Sequence, residues 1–291
     1  MSEPHPPGTP TVLRMVLGRR LQDLRESAGL SYEEAAAALD VTHTTIRRME
    51  KAEVNFKIVY VERLLHTYGV QEPAEVEAFL TLAREANQPG WWHRFRDILP
   101  DWFSAYVSLE GEAALIRCYE PHYVPGLLQT PGYARAVLRA GQPSASPTEL
   151  DRQVDLRIAR QDLLTKADAP RLWVVMDETV FRRTPADAEV MRTQIDRLIE
   201  ATAQPNITLQ VMPFAAGLHP AMYGPFHLFR FRYRELPDIV YTESLTGAAY
   251  IDDRNDVSTY LEVFDRMSAQ APPTPATEAL LERFRKEILD G

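Results

Sequence analysis

The chain has 291 residues, of which 45% are hydrophobic and 25% charged, a length and composition that predict a globular protein of about two domains. Its formal net charge of −9 argues against a protein that coats nucleic acid by bulk electrostatic attraction. A single cysteine, Cys118, excludes an internal disulfide framework and a multi-thiolate zinc site.

The first third of the sequence predicts an all-α domain of five helices over residues 12–88. Residues 1–11 are rich in proline and contain no Lys or Arg, and we expect them to form a disordered arm. Apolar residues at helical spacing predict helices over 11–28, 57–70 and 74–86. Between the first two of these, Ser31 and Glu34 form a capping box that opens a second helix.

A tight turn at Leu39–Val41 separates the second helix from a short third one, which Thr42 is expected to cap through its side-chain oxygen. Ile46 and Met49 face inward at helical spacing. The opposite face carries polar and cationic side chains, namely His43, Thr44, Arg47, Arg48 and Lys51. A short helix that exposes such side chains is suited to the major groove of DNA.

Three motifs within residues 24–50 carry a family resemblance: L-R-E-x-A-G-L-S-x-E-E-A-A at 24–36, L-D-V-T at 39–42 and I-R-R-M-E at 46–50. Together they resemble the Cro/C1-type (XRE) helix-turn-helix, whose recognition helix begins with base-contacting residues. The resemblance implies that the base-reading residues are Thr42, His43, Thr44 and Arg48. It also implies a structural ion pair between Arg25 and Glu50.

The candidate phosphate contacts are Arg47, Lys51, Asn55 and Lys57. Two positions depart from the family pattern. Tyr32 stands where a phosphate-contacting Gln is usual. Ala52 replaces the Gly that normally ends the recognition helix, which predicts a different helix end because Ala tolerates the left-handed conformation poorly.

The charge of the DNA-binding region is balanced, since residues 1–70 hold nine Lys/Arg and nine Asp/Glu. Non-specific attraction to phosphates is therefore expected to be weak. Binding would depend on a local cationic surface and on dimerisation.

Asn87–Gly90, with a proline and a glycine in succession, predicts a domain boundary, followed by a mixed α/β regulatory or interaction domain over 89–291. Three of the four tryptophans lie just beyond it and are expected to pack into this second domain. Period-two or buried apolar runs predict its strands at 171–177, 207–212, 226–232 and 239–243. Helical patterns cover 150–166, 187–202 and 256–269, and a proline-rich linker over 271–276 leads to a last helix.

Several motifs of the second domain occur in the order found in one group of regulators. They include Y-E-P-H-Y-V-P-G-L-L-Q-T-P-G-Y at 119–133, R-x-x-R-Q at 157–161, P-N-I-T-L-Q-V-M-P at 205–213 and Y-x-E at 241–243. These motifs resemble the actinobacterial WhiJ-like regulators. The resemblance implies a C-terminal domain without established chemistry. It also implies a small acidic partner protein, in an arrangement likened to antitoxin–toxin pairs.

Two sets of residues could carry chemistry in the second domain. Cys118 and His122 suggest a thiol nucleophile, although a lone Cys in an apolar run is more often a buried hydrophobe. Glu178 and Glu243 each end a predicted strand, where carboxylates can converge on a cleft, or can simply pair with neighbouring arginines. The candidate ligand pocket comprises Glu178, His219, Tyr223, Tyr241 and Glu243, with the loop at 217–224 as its lid.

No phosphate-binding loop, dinucleotide fingerprint or metal-ligand spacing is found in the sequence, so we predict no cofactor and no metal site. The absence of a long apolar run and of a signal-like N-terminus predicts a cytoplasmic protein that has no membrane partner.

We therefore expect a non-enzymatic, homodimeric transcriptional regulator that binds a double-stranded DNA operator and is controlled through its C-terminal domain. One alternative is an antitoxin-like module that sequesters a small partner. A second, weaker alternative is an enzyme that acts on a nucleotide-like ligand.

Overall fold

A computed structural model describes residues 11–183, 185 and 187–290 of the chain. It contains two compact units. The helical unit extends to Glu112 and also takes in Tyr233–Leu236, and the sheet unit contains the rest of the chain from Ala113 onwards. The disordered arm expected over 1–11 lies outside the described residues except for Thr11.

The helical unit contains the five predicted helices, followed by a short extension. The helices are α1 (Val12–Ser27), α2 (Tyr32–Leu39), α3 (His43–Glu50), α4 (Ile58–Thr67) and α5 (Pro73–Ala86). A 3-10 helix (Trp91–Phe95) and α6 (Asp101–Glu112) come after them. An all-α N-terminal domain followed by a mixed α/β domain is thus confirmed as the fold class.

Four helices of this unit end in the same way, with a residue in the left-handed conformation within two residues of the last helical position. These residues are Gly29, Asp40, Ala52 and Gly69, with φ values of 70°, 54°, 59° and 85°. After α3, the N–H of Ala52 donates to the carbonyl of Met49 at 2.9 Å, and that of Glu53 to Arg48 at 2.8 Å. Ala52 thus adopts the conformation of the glycine it replaces, at a cost of about 1 kcal/mol, because these two bonds satisfy the carbonyls of the last turn.

The helix starts follow the capping signals in the sequence with one exception. The Ser31–Glu34 capping box is present at α2, with Glu34 N–H donating to Ser31 Oγ at 3.2 Å and Ser31 N–H to Glu34 Oε2 at 2.8 Å. Thr42 occupies the N-cap position of α3, but its side chain makes no capping hydrogen bond. Its hydroxyl is instead 3.1 Å from the hydroxyl of Thr45, because this neighbouring side chain competes for it.

The core of the helical unit is formed by the apolar faces of α1 to α5. Leu17 and Leu21 of α1, Ile46 of α3 and Leu65 of α4 have no exposed surface. Gly18, between the buried positions of α1, lies against the end of α3, and a Cβ built on it would be 2.4 Å from the carbonyl oxygen of Glu50. This contact between two backbones requires a residue without a side chain.

Residues 91–112 belong to the helical unit, which extends past the boundary expected after residue 88. The N–H of Val12 donates to Ser108 Oγ of α6 at 2.9 Å. The three tryptophans expected in the second domain therefore lie in the helical unit. The Asn87–Gly90 signal marks the end of α5, with Asn87 as its C-cap, because the same residue types end helices and separate domains.

The sheet unit is built on a six-stranded mixed sheet with strand order β3-β2-β1-β4-β5-β6. The strands are β1 (Ala113–Glu120), β2 (Arg171–Asp177), β3 (Ile207–Met212), β4 (Phe226–Phe231), β5 (Ile239–Ser244) and β6 (Gly247–Ile251). β1, β2 and β3 are parallel to one another, whereas β4, β5 and β6 continue from β1 as antiparallel neighbours. Two of these strands were not predicted from the sequence, namely the central strand β1 and the edge strand β6.

The helices of the sheet unit are α7 (Pro131–Gly141), α8 (Pro147–Gln161), α9 (Thr179–Arg182), α10 (Ala188–Thr202), α11 (Arg254–Gln270) and α12 (Thr274–Asp290). α12 begins inside the linker expected over 271–276, because Pro275 falls in the first helical turn, where proline is tolerated. It packs on its own unit: Thr277 Oγ1 donates to the carbonyl of Leu209 at 2.9 Å, and Phe284 stacks on Phe181 with ring centroids 4.8 Å apart.

Within the described ranges, no helix is both long enough and apolar enough to cross a membrane.

The close approach of Gly18 to α3 predicts that Gly18→Ala lowers the free energy of unfolding by about 2 kcal/mol, as overpacking against an unyielding backbone does. Denaturant unfolding followed by tryptophan fluorescence measures this, because three of the four tryptophans lie in the helical unit. Gly111→Ala in α6 is the matched control, since a Cβ built on Gly111 would have no neighbour within 4 Å. Equal stability of the two variants would contradict the prediction.

Candidate nucleic-acid interface

The recognition helix α3 separates its buried and exposed side chains sharply. Ile46 and Met49 are buried in the core, and Glu50 is 7% exposed. The other face is exposed to solvent and carries Thr42, His43, Thr44, Arg47, Arg48 and Lys51. With its side chains an α-helix is about 10–12 Å in diameter, which fits the major groove of about 12 Å width.

The surface around α3 is cationic although the helical unit as a whole is not. Between residues 41 and 57 there are four Lys or Arg side chains, and Glu53 is the one exposed carboxylate. Arg48 Nε lies 3.6 Å from Glu53 Oε2, and about half of each side chain is exposed. An exposed pair of this kind contributes little to stability, so Arg48 is free to exchange Glu53 for a base or phosphate.

A buried ion pair joins α1 to the end of α3. Arg25 Nε and Nη2 donate to the two carboxylate oxygens of Glu50 at 2.7 Å and 3.0 Å. Arg25 Nη1 donates to the carbonyl of Leu30 at 2.9 Å. The hydrogen bonds that Arg25 donates to Glu50 raise the pKa of Arg25 despite the opposing effect of burial. This two-point contact fixes both the position and the rotation of α3 about its axis.

Tyr32 has a structural contact that accounts for its place in the sequence. Its ring lies under the guanidinium of Arg25, 4.1 Å from ring centroid to Cζ. The ring thus covers the ion pair at the start of α2, and cation–π contacts of this type are favourable where water is excluded. A residue at this position that packs on Arg25 supports the recognition helix through the ion pair.

The loop after α3 is held by Asn87, a residue of the Asn87–Gly90 segment that was predicted to be a domain boundary. Asn87 Oδ1 accepts from the N–H of Phe56 at 3.0 Å, and Asn87 Nδ2 donates to the carbonyl of Phe56 at 2.6 Å. Phe56 is buried, whereas Asn55 and Lys57 on either side of it are exposed. Asn87 thereby positions both candidate phosphate contacts, a role that no local sequence pattern reveals.

The five residues of the candidate ligand pocket in the sheet unit do not come together. Glu178 follows β2 and accepts hydrogen bonds from Arg182 and from the N–H of Phe214, at 2.7 Å and 2.9 Å. Although burial acts to raise the pKa of Glu178, these bonds hold it below its usual value. Glu243 lies on β5, separated from β2 by β1 and β4. Three strand spacings amount to about 14 Å, so the two carboxylates cannot share one small ligand.

The sheet itself divides the remaining pocket residues. His219 Nε2 is 3.3 Å from the hydroxyl of Tyr119. Tyr241 pairs across the strands with His227, which pairs with Cys118. Neighbouring residues of a strand point to opposite faces, so Tyr119 and Cys118 lie on opposite faces of the sheet. His219 therefore lies on the face of Tyr119, and Tyr241 lies on the face of Cys118.

Neither the fifth residue, Tyr223, nor the contact between Tyr241 and Glu243 supports a pocket shared by all five residues. Tyr223 is 103% exposed. The hydroxyl of Tyr241 donates to Glu243 at 2.8 Å, and burial together with the Glu243 carboxylate raises the pKa of Tyr241. Of the five residues, only Tyr241 and Glu243 are in contact with each other among the described hydrogen bonds.

The fold and the exposed cationic helix define a helix-turn-helix protein, the class to which DNA-binding regulators belong. Comparison with protein families agrees, because a model described as a helix-turn-helix domain matches residues 16–79. A second model, described as a domain of unknown function (DUF5753), matches residues 103–283. This match spans more than half of the chain, so the chain belongs to the DUF5753 family. No curated protein and no solved structure matches it.

The buried ion pair predicts that removing one of its two charges destabilises the fold more than removing both. Arg25→Met leaves the Glu50 carboxylate buried without its partner, which should lower the free energy of unfolding by about 3–5 kcal/mol. The double variant Arg25→Met/Glu50→Leu removes both charges and should recover a large part of that loss. Denaturant titration of the wild type and the three variants, including Glu50→Leu alone, measures the coupling. Additive losses would contradict the pairing.

Proposed function

We propose that this protein is a sequence-specific transcriptional regulator of the Cro/C1 (XRE) type that binds an operator as a homodimer. The single observation that carries the proposal is the face of α3, which is exposed, polar and cationic while its opposite face is locked into the core. The motifs of the second domain support a place in the actinobacterial WhiJ-like group.

The roles of the interface residues follow from their chemistry and position. Arg48 would donate two hydrogen bonds to guanine, and His43 and Thr44 would contact the neighbouring base edges, with Thr42 at the start of the helix. Phosphate contacts would come from the flanking exposed side chains, Arg47, Lys51, Asn55 and Lys57. Because phosphate contacts carry no base information, these residues set orientation while α3 sets specificity.

Dimerisation follows from the size of the interface. A single module of this type buries about 600–1,000 Å² on DNA, whereas specific binding commonly requires about 1,000–2,500 Å². Two copies on half-sites about 34 Å apart double the contact. The balanced charge of residues 1–70 adds to this need, because bulk attraction supplies little affinity.

Control through the C-terminal domain is supported by one exposed apolar segment. Between Phe214 and Tyr223 four large apolar side chains are exposed, among them Leu218 at 83%, and the segment contains no charged residue. Exposed apolar clusters mark protein interaction sites. This feature favours a protein partner over a small ligand and fits the antitoxin-like alternative, in which the partner and DNA occupancy are coupled. An enzyme acting on a nucleotide-like ligand has no comparable support, because Glu178 and Glu243 lie apart.

Pull-down of genomic DNA with sequencing identifies the operator, and binding to it tests the base and phosphate roles separately. Arg48→Ala should weaken operator binding by roughly 10- to 100-fold, as loss of about 1–3 kcal/mol of base discrimination implies, and should leave random DNA unaffected. Lys57→Ala should weaken binding to operator and random DNA alike. It should also lower the slope of log affinity against log salt concentration by about one. Fluorescence anisotropy at several salt concentrations measures both.

Arg84→Ala on α5 is the control for this experiment, because Arg84 is an exposed cation paired with Glu77 outside the interface. If the wild type and Arg48→Ala bind every probe equally, the sequence-specific function is wrong.

The pair between Arg48 and Glu53 predicts a variant with higher affinity. Glu53→Gln removes a carboxylate that repels phosphates and competes for Arg48, so operator affinity should rise by up to about fivefold, in line with the energy of an exposed ion pair. Glu75→Gln, an equal change of charge on α5, should have no such effect. Equal affinities of the two variants would show that Glu53 does not oppose binding.

A further inference from the structure

The central strand of the sheet and its antiparallel neighbour bring three potential metal ligands together. Cys118 and Glu120 are two residues apart on β1 and therefore point to the same face. His227 on β4 is the cross-strand partner of Cys118. His227 Nε2 is 3.3 Å from Cys118 Sγ and 3.0 Å from Glu120 Oε1, and the ligand atoms of the three all lie within 4.8 Å of one another.

The arrangement does not fit a thiol nucleophile activated by a histidine. In such a relay the two ring nitrogens have different partners, one facing the nucleophile and the other the carboxylate. Here the same nitrogen of His227 faces both Cys118 and Glu120. Cys118 is also only 1% exposed, so a substrate could not reach its sulfur. Convergence of a sulfur, a nitrogen and an oxygen on one point is instead the geometry of a bound cation.

Glu120 supplies a second, independent observation. Its side chain is buried, with the residue 5% exposed, and its Oε2 atom has no hydrogen-bond partner among the described residues. A buried carboxylate oxygen without a partner costs free energy that a native structure normally avoids. A cation bound by both carboxylate oxygens of Glu120 would give this oxygen a partner.

The surroundings of the cluster are acidic on balance. The pKa of Tyr123 reflects the charges nearby. Burial raises this pKa, the carboxylates of Glu120 and Glu243 raise it further, and Arg157 lowers it. The charged groups that act on Tyr123 thus include two carboxylates and one guanidinium. Such a field favours a divalent cation over an anion.

We propose that Cys118, Glu120 and His227 form a binding site for a zinc-like divalent transition-metal ion. Mixed sulfur, nitrogen and oxygen ligands suit Zn²⁺, whereas Mg²⁺ and Ca²⁺ prefer oxygen ligands alone. Metal–ligand bonds of about 2.0–2.3 Å in tetrahedral geometry separate the ligand atoms by roughly 3.3–3.6 Å. The two separations at His227 are within a few tenths of an ångström of this range.

The charges of the loaded site balance. A Cys118 thiolate and a Glu120 carboxylate carry two negative charges, which offset the two positive charges of the ion, and neutral His227 adds none. Binding therefore displaces the thiol proton into solvent, so affinity falls as the pH is lowered. A neutral assembly is the form that a buried site tolerates best. Three protein ligands leave a fourth position for water or for the second oxygen of Glu120.

The test uses the untagged full-length chain, stripped of metal with a chelator under reducing conditions. Titration with Co²⁺, followed by absorbance, should reach one equivalent and produce a thiolate-to-cobalt charge-transfer band together with the visible bands of tetrahedral cobalt. Zn²⁺ should then displace the cobalt stoichiometrically. Binding of Co²⁺ without the thiolate band, or no stoichiometric binding at all, would overturn the proposal.

Three near-isosteric variants assign the ligands: Cys118→Ser, Glu120→Gln and His227→Gln. Each should lower Zn²⁺ affinity roughly 100-fold or more, since even residues that only orient metal ligands account for about 10- to 100-fold. Cys118→Ser should also abolish the thiolate band. Circular dichroism of the metal-free variants establishes that each remains folded.

His122→Gln is the matched control, because His122 is exposed and is the histidine nearest to Cys118 in the sequence. The proposal requires that this variant binds like the wild type. Loss of the site in His122→Gln with retention in His227→Gln would overturn it, and would assign the ion to the neighbouring pair in the sequence instead.

Discussion

The buried pair between Arg25 and Glu50 is the interaction on which the candidate DNA-binding surface depends. Two hydrogen bonds connect the guanidinium to the last residue of α3, a third connects it to the chain after α1, and the Tyr32 ring covers it. Two charges in a core cost several kcal/mol to desolvate, and these contacts offset that cost only in one geometry. The pair therefore favours a single orientation of α3, which apolar packing alone would define less sharply.

Gly18 and Asn87 complete the support of the recognition helix at the backbone level. The first lets α1 touch the carbonyl end of α3, and the second holds the loop that follows through the backbone of Phe56. These contacts fix the inner face of α3, and the outer face carries the polar and cationic side chains. Residues 1–70 carry equal numbers of acidic and basic side chains, so their total charge attracts DNA weakly, and specificity depends on the positions of a few cationic side chains.

The sheet unit shows how strand order decides which residues can act together. Glu178 and Glu243 both follow or end a strand in the sequence, yet two strands lie between them, and the faces of the sheet separate His219 from Tyr241. The same order brings Cys118, Glu120 and His227 together, although more than a hundred residues of chain separate the histidine from the other two. Metal-ligand spacing in the sequence is local, so it could not reveal this cluster.

By itself the sequence determined the elements whose signals are local. The five helices of the helical unit, the capping box at Ser31 and the outward face of α3 follow from helical spacing and side-chain capping, which act over a few residues. The tertiary structure alone decided the central position of β1, the roles of Gly18 and Asn87, the left-handed Ala52 and the neighbours of Cys118. Each of these depends on contacts between residues far apart in the chain, and a contact of that kind leaves no pattern in a single sequence.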